Sequence, residues 1–109
     1  MSLPTPILPL SEGHASQPLE VREFCAARGL EPYVPVLLSL VRGSFDVVSP
    51  MRLILEQDAE TGQRWVEVAV AVRGEPARVL EAYDRFTDRW LGAAPDGVRE
   101  HFRLAWHLA

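Results

Sequence analysis

The chain has 109 residues, 48% of them hydrophobic, with 11 basic against 15 acidic side chains and a formal net charge of −4. That length and apolar share suit one domain with a real core, and an acidic balance with no clustered basic residues disfavours nucleic acid as a partner. A lone cysteine, Cys25, provides neither an internal disulfide nor a metal cluster, which predicts a reducing, cytoplasmic setting.

The opening stretch, residues 1–17, is dense in Pro and Ser and reads as a flexible tail in front of a single α+β domain spanning 18–109. Its Pro6-Ile7-Leu8-Pro9 segment has the form of a polyproline II docking peptide. It has no basic stretch leading into a long apolar run, so no signal peptide is expected. The apolar run from Tyr33 to Val41 falls well short of the roughly 20 residues that span a bilayer, so no membrane association is expected either. Apart from the histidines, all basic residues are arginine. Together with the many Ala and Pro residues, this reads as the composition of a GC-rich bacterial genome.

Ser16 is placed to cap a helix that takes Pro18 in its first turn, buries Leu19, Phe24 and Ala27, and stops at Gly29. A second helix opens at Glu31-Pro32-Tyr33 and is expected to end on Gly43. It is apolar nearly all round, the pattern of a helix buried on several sides. Phe45 to Val48 forms an extended approach broken at Ser49-Pro50, and the strongest pattern of the chain follows. Met51 to Gln57 and Arg64 to Val72 alternate strictly across the turn DAETGQ, which predicts a β-hairpin. Leu53, Leu55, Val66, Val68, Val70 and Val72 share the core side. Arg52, Ile54, Glu56, Trp65, Glu67, Ala69 and Ala71 look outward.

A third helix opens at Gly74-Glu75-Pro76 and stops at Gly92, with Val79, Leu80, Tyr83, Phe86, Trp90 and Leu91 as its packing stripe. After a turn at residues 94–97, His101 to Ala109 alternates again. Phe102, Leu104, Trp106 and Leu108 lie on one side, His101, Arg103, Ala105 and His107 on the other. This predicts a third strand, a terminal helix over Val98 to Leu108 being the alternative. The order ααββαβ gives a small three-stranded sheet built from a hairpin plus a right-handed β-α-β crossover. The last strand is expected parallel to the second and beside the first. The helices would pack mainly on the Val and Leu face and leave the other open, unless the N-terminal helices cover it.

The segment ETGQRWVEVAVAVRGEPARVLEAYDRFTDRWLGAAPDGVREHFRL resembles an uncharacterised group of small bacterial α+β proteins. The matching pieces are Thr61-Gly62, Trp65, Val79-Leu80-Glu81-Ala82-Tyr83-Asp84-Arg85-Phe86 and Trp90. Within the C-terminal half, the resemblance implies the hairpin, helix, strand order. It implies no reaction; some members of that group sit in two-gene, toxin and antitoxin style pairs, which points to an accessory role.

Candidate chemistry is sparse. His101 and His107 are six residues apart, about 20 Å on an extended strand, too far to share an ion. Cys25 lies in a helix pattern beside Phe24 and Ala26, the setting of a small buried hydrophobe. There is no GxSxG, HExxH, phosphate-loop or dinucleotide-binding glycine pattern, and Asp84 and Asp88 alternate with Arg85 and Arg89 as on a solvated helix face. No catalytic residue, cofactor or metal is expected. What remains is a surface, Arg52, Trp65, His101, Arg103 and His107 on the open sheet face, rich in the residue types that anchor interfaces. The expectation is a non-enzymatic association module, a homodimer or an accessory partner of another protein. The alternative is a small ligand-binding or hydrolase-like enzyme with a site assembled from Tyr83, His101 and acidic residues.

Overall fold

The computed structural model describes residues 17–109, so nearly all of the expected tail, with its Pro6–Pro9 segment and Ser16, lies outside the described residues. Helix α1 spans Leu19–Arg28 and α2 Tyr33–Ser44. Strands β1 (Asp46–Val47), β2 (Arg52–Gln57) and β3 (Arg64–Arg73) follow, then α3 (Pro76–Ala93), the single turn α4 (Asp96–Arg99) and β4 (Phe102–Leu108).

Helix α1 starts at Pro18, which occupies the cap position without a capping side chain. It ends in a Schellman turn: Gly29, at φ 69°, donates to the Ala26 carbonyl and Leu30 N–H donates to the Cys25 carbonyl at 2.9 Å. Leu30 is thereby turned into the core. The buried face of α1 is Val21, Phe24 and Cys25, whereas Leu19, expected inside, is 60% exposed. Helix α2 does not stop on Gly43. It runs to Ser44 because the chain leaves it through Phe45 in an extended conformation, and such an exit needs no left-handed residue.

The sheet has four strands where three were expected, because the extended approach at Asp46–Val47 also pairs with β3, and it is mixed, with β3 at its centre. β2 runs antiparallel to β3 with Leu53 opposite Val68 and Leu55 opposite Val66. β1 continues that edge, Val47 facing Val72, after a break in which residues 48–51 stand against only Val70 and Ala71. This wide bulge absorbs Pro50, which cannot donate to a ladder, and turns Met51 into the core. β4 is a strand, and it is parallel to β3 with Phe102 opposite Val66 and Leu108 opposite Val72. It does not lie beside the first hairpin strand, as expected, but on the far edge of β3. The physical reason is plain. β2 and β1 already occupy one edge of β3, and returning to the other edge satisfies the backbone of this central strand on both edges.

Val66, Val68, Val70 and Val72 are buried under the helices together with Leu53 and Phe102. α3 contributes Val79, Ala82, Phe86 and Trp90, spaced three, four and four residues apart. Trp90 meets Phe102 edge to face with ring centroids 5.9 Å apart, and Phe86 tilts on Phe45 at 6.2 Å. Leu80, Tyr83 and Leu91, expected in this stripe, are exposed instead. α3 is wedged against α2 along one narrow seam, which leaves its second apolar stripe free. Among the described residues no single helix is long and apolar enough to cross a membrane.

Candidate protein-association surface

Strand alternation places Arg52, Ile54, Glu56, Trp65, Glu67, Ala69, Ala71, Arg103, Ala105 and His107 on the sheet face opposite the helices. Cross-strand rows follow from the register: Glu56 beside Trp65, Ile54 beside Glu67 beside Arg103, Arg52 beside Ala69 beside Ala105, and Ala71 beside His107. One diagonal contact dominates this face. The Arg103 guanidinium lies over the Trp65 ring, 3.8 Å from its centroid. Trp65 is half-buried beneath it, and the indole Nε1 is buried with no hydrogen-bond acceptor.

Of the five residues expected on this surface, Arg52, Trp65, Arg103 and His107 lie on it, but only Trp65 and Arg103 touch. His101 does not join them. It precedes β4 and packs edge to face on Phe24 of α1, ring centroids 5.9 Å apart, because β4 begins only at Phe102 and the alternation does not extend back to it. Phe24 also carries the guanidinium of Arg28 at 3.9 Å and that of Arg64 at 5.3 Å, so His101 belongs to an aromatic and cationic cluster at the end of the core.

The hairpin turn that delivers Trp65 is held by Asp58. Its carboxylate accepts the N–H of Glu60 at 2.7 Å and of Thr61 at 3.0 Å, and Gly62, at φ 76°, closes the loop by donating to the Asp58 carbonyl. The Thr61 and Glu60 N–H groups hold the Asp58 carboxyl below its ordinary range, with the Arg103 charge as a minor aid. A depressed carboxyl stabilises the fold above its unfolded value of about 3.9, and that contribution disappears as pH falls through the folded value. Asp58→Asn is therefore expected to melt below the parent at neutral pH, with the gap closing in acid. Thermal melts through the carboxylate range check this, and a gap independent of pH contradicts it.

Burial pushes the Cys25 thiol up, Glu31 adds to the effect and Arg28 opposes it, so the sulfur stays protonated and unreactive at neutral pH. No group of three His, Cys, Asp or Glu among the described residues is placed to hold a metal ion.

Sequence reasoning missed one feature. Between α3 and β4 lies a groove of about 410 Å³ lined by Leu37, Tyr83, Thr87, Leu91 and Leu104, among others. Its signal was present in the second stripe Leu80, Tyr83, Thr87 and Leu91, but periodicity alone merges that stripe with the buried one. No family model, curated protein or solved structure matches this chain.

Proposed function

We propose that the domain is a non-enzymatic association module, accessory to a partner protein or to its own second copy, and that the helix-free sheet face is its docking surface. The observation that carries this reading is the Trp65 and Arg103 stack. Trp and Arg are the residue types most enriched at interface hot spots, and this pair stands on a face that no described element covers. The buried Nε1 donor without an acceptor adds to it, since leaving such a group unpaired costs about 1–3 kcal/mol. Arg103, which lies over that ring, is itself exposed. The resemblance of the C-terminal half to small bacterial proteins, some of which sit in two-gene pairs, is in keeping with an accessory role.

Light scattering coupled to size exclusion, with titration of a partner once one is found, measures the association. Trp65→Ala is expected to weaken it by at least about 2 kcal/mol, roughly 30-fold, and Arg103→Ala less. Both variants should fold like the parent. If neither substitution changes any association of the chain, with itself or with a partner, the reading is overturned.

The groove under α3 includes Tyr83, as an enzyme alternative would require. Its lining contains neither a carboxylate nor a histidine. Of its other polar members, Thr87 donates to the Tyr83 carbonyl, Arg99 donates to the Ala94 carbonyl and Asp96, and Arg103 lays its guanidinium over Trp65. General acid and base groups do not converge there, so the groove favours an apolar occupant over a reaction.

A further inference from the structure

We propose that β4 is a dimer-forming edge: two copies pair their β4 strands antiparallel about a two-fold axis at Ala105, each placing Trp106 over the groove between α3 and β4 of the other. This goes beyond the sheet-face reading, because it concerns a different surface and a defined partner, a second copy of this chain.

The argument starts from the backbone. Val66 N–H donates to the His101 carbonyl and Ala109 N–H donates to the Val72 carbonyl, both at 2.8 Å. In a parallel ladder the residues that bond the neighbour alternate with residues whose N–H and C=O point the other way. His101, Arg103, Ala105, His107 and Ala109 therefore bond β3, and Phe102, Leu104, Trp106 and Leu108 direct their backbone groups to the free edge. Among the described residues no strand pairs with that edge.

The two edges of the sheet are built differently. The β1 and β2 edge is broken by the bulge with Pro50, carries Asp46, Arg52 and Glu56, and has α1 packed near it, devices that deter pairing. β4 runs seven residues without Pro, Lys, Asp or Glu. Its sequence is also self-complementary. About Ala105, Phe102 meets Leu108 of the second copy and Leu104 meets its Trp106, all on the core side. Each such pair joins residues whose backbone groups face the free edge, so every one of those groups finds a partner. Ala105 meets its own counterpart on the outer side, where small side chains let the strands close.

The core side of this edge is unfinished in the single chain. Leu104 and Trp106 are only half-buried, Leu108 is 42% exposed, and across the groove stand Tyr83 at 38% and Leu91 at 52%. Trp106 of a second copy, opposite Leu104, falls over this groove. A seven-residue strand is about 23 Å long, and a strand layer with a helix layer is about 20 Å deep, so the contact face is roughly 450 Å² in projection. That is the scale of a small interface, below the ~800 Å² per partner of the standard class, as in weak, reversible association.

Ala105→Cys is the direct test. Ala105 and its counterpart form a non-hydrogen-bonded pair, with Cα atoms about 4.5 Å apart, inside the range that a disulfide bridges. The native Cys25 is 1% exposed and does not compete. At concentrations above the dissociation constant the parent should scatter as a dimer, twice 12.2 kDa. Ala105→Cys should then cross-link under mild oxidation, while Ala69→Cys, its register partner one strand inward, should not. Trp106→Lys should weaken the dimer at least about tenfold, since an edge lysine deters pairing, whereas Trp65→Ala should leave it intact. A monomer throughout, or a dimer in which the two cysteine variants cross-link alike or neither does, overturns the proposal. A cross-link at Ala105 in a chain whose associations neither Trp65→Ala nor Arg103→Ala alters sinks the sheet-face reading and leaves this one standing; a sheet-face association lost in Trp65→Ala, with no cross-link at Ala105, does the reverse.

Discussion

Val68→Asp is expected to abolish the folded state, whereas Ala69→Asp, one residue further along the same strand, should leave it standing. Val68 is 0% exposed at the centre of β3, flanked in register by Leu53 and Leu104. Removing that side chain forfeits about 1.5–3 kcal/mol of burial. Placing an unpaired carboxylate there costs several more, whether it stays ionised or takes up a proton. Against a total stability of about 5–15 kcal/mol for a domain, little remains. Ala69 looks to the other face, where its register partner is Arg52, so an added carboxylate there meets solvent and a cation. Circular dichroism and amide dispersion in NMR spectra decide between the two outcomes. If both variants fold, or both fail, the sheet is not one-sided as described.

The second large effect lies on α3. Trp90→Ala should cost about 3–5 kcal/mol, because it removes a buried indole together with its edge-to-face contact on Phe102 and leaves a cavity under β4. Leu91→Ala, at the adjacent position but 52% exposed, should cost less than about 1 kcal/mol in the isolated chain. Urea unfolding of the two variants measures the contrast. Equal losses would mean that the stripe inferred from periodicity, with Leu91 inside, describes α3 better than its observed packing.

These two contrasts mark where sequence reading succeeds and where it stops. The hairpin was legible because β3 alternates over ten residues and the turn carries Asp58 and Gly62 at the positions that need them. Period-two alternation assigns sidedness without reference to anything distant, so Val68 and Ala69 separate on inspection. On α3 the same logic blurs. Leu80, Tyr83 and Leu91 fit a helical stripe as well as Val79, Phe86 and Trp90 do, and only the line of approach of α2 selects the narrower seam. Gly43 is no cap for a related reason: the chain leaves α2 extended through Phe45, a direction that a glycine near the helix end does not specify. His101 continues the alternation in sequence but lies before the start of β4, where its ring packs on Phe24 of α1.

From residue order alone follow the α+β class, the three long helices, the hairpin with its turn at residues 58–63 and the two faces of each hairpin strand, all consequences of contacts between residues close in the chain; the choice between strand and helix for the last element, and the pairing of Asp46–Val47, do not follow from it. Tertiary structure alone decided that β3 is central and that β4 takes its far edge. It also brought Arg103 over Trp65 and opened a groove between α3 and β4. Those depend on pairings between segments far apart in sequence, for which local periodicity holds no information: a strand pattern states which side chains face the core, never which neighbour its backbone will find.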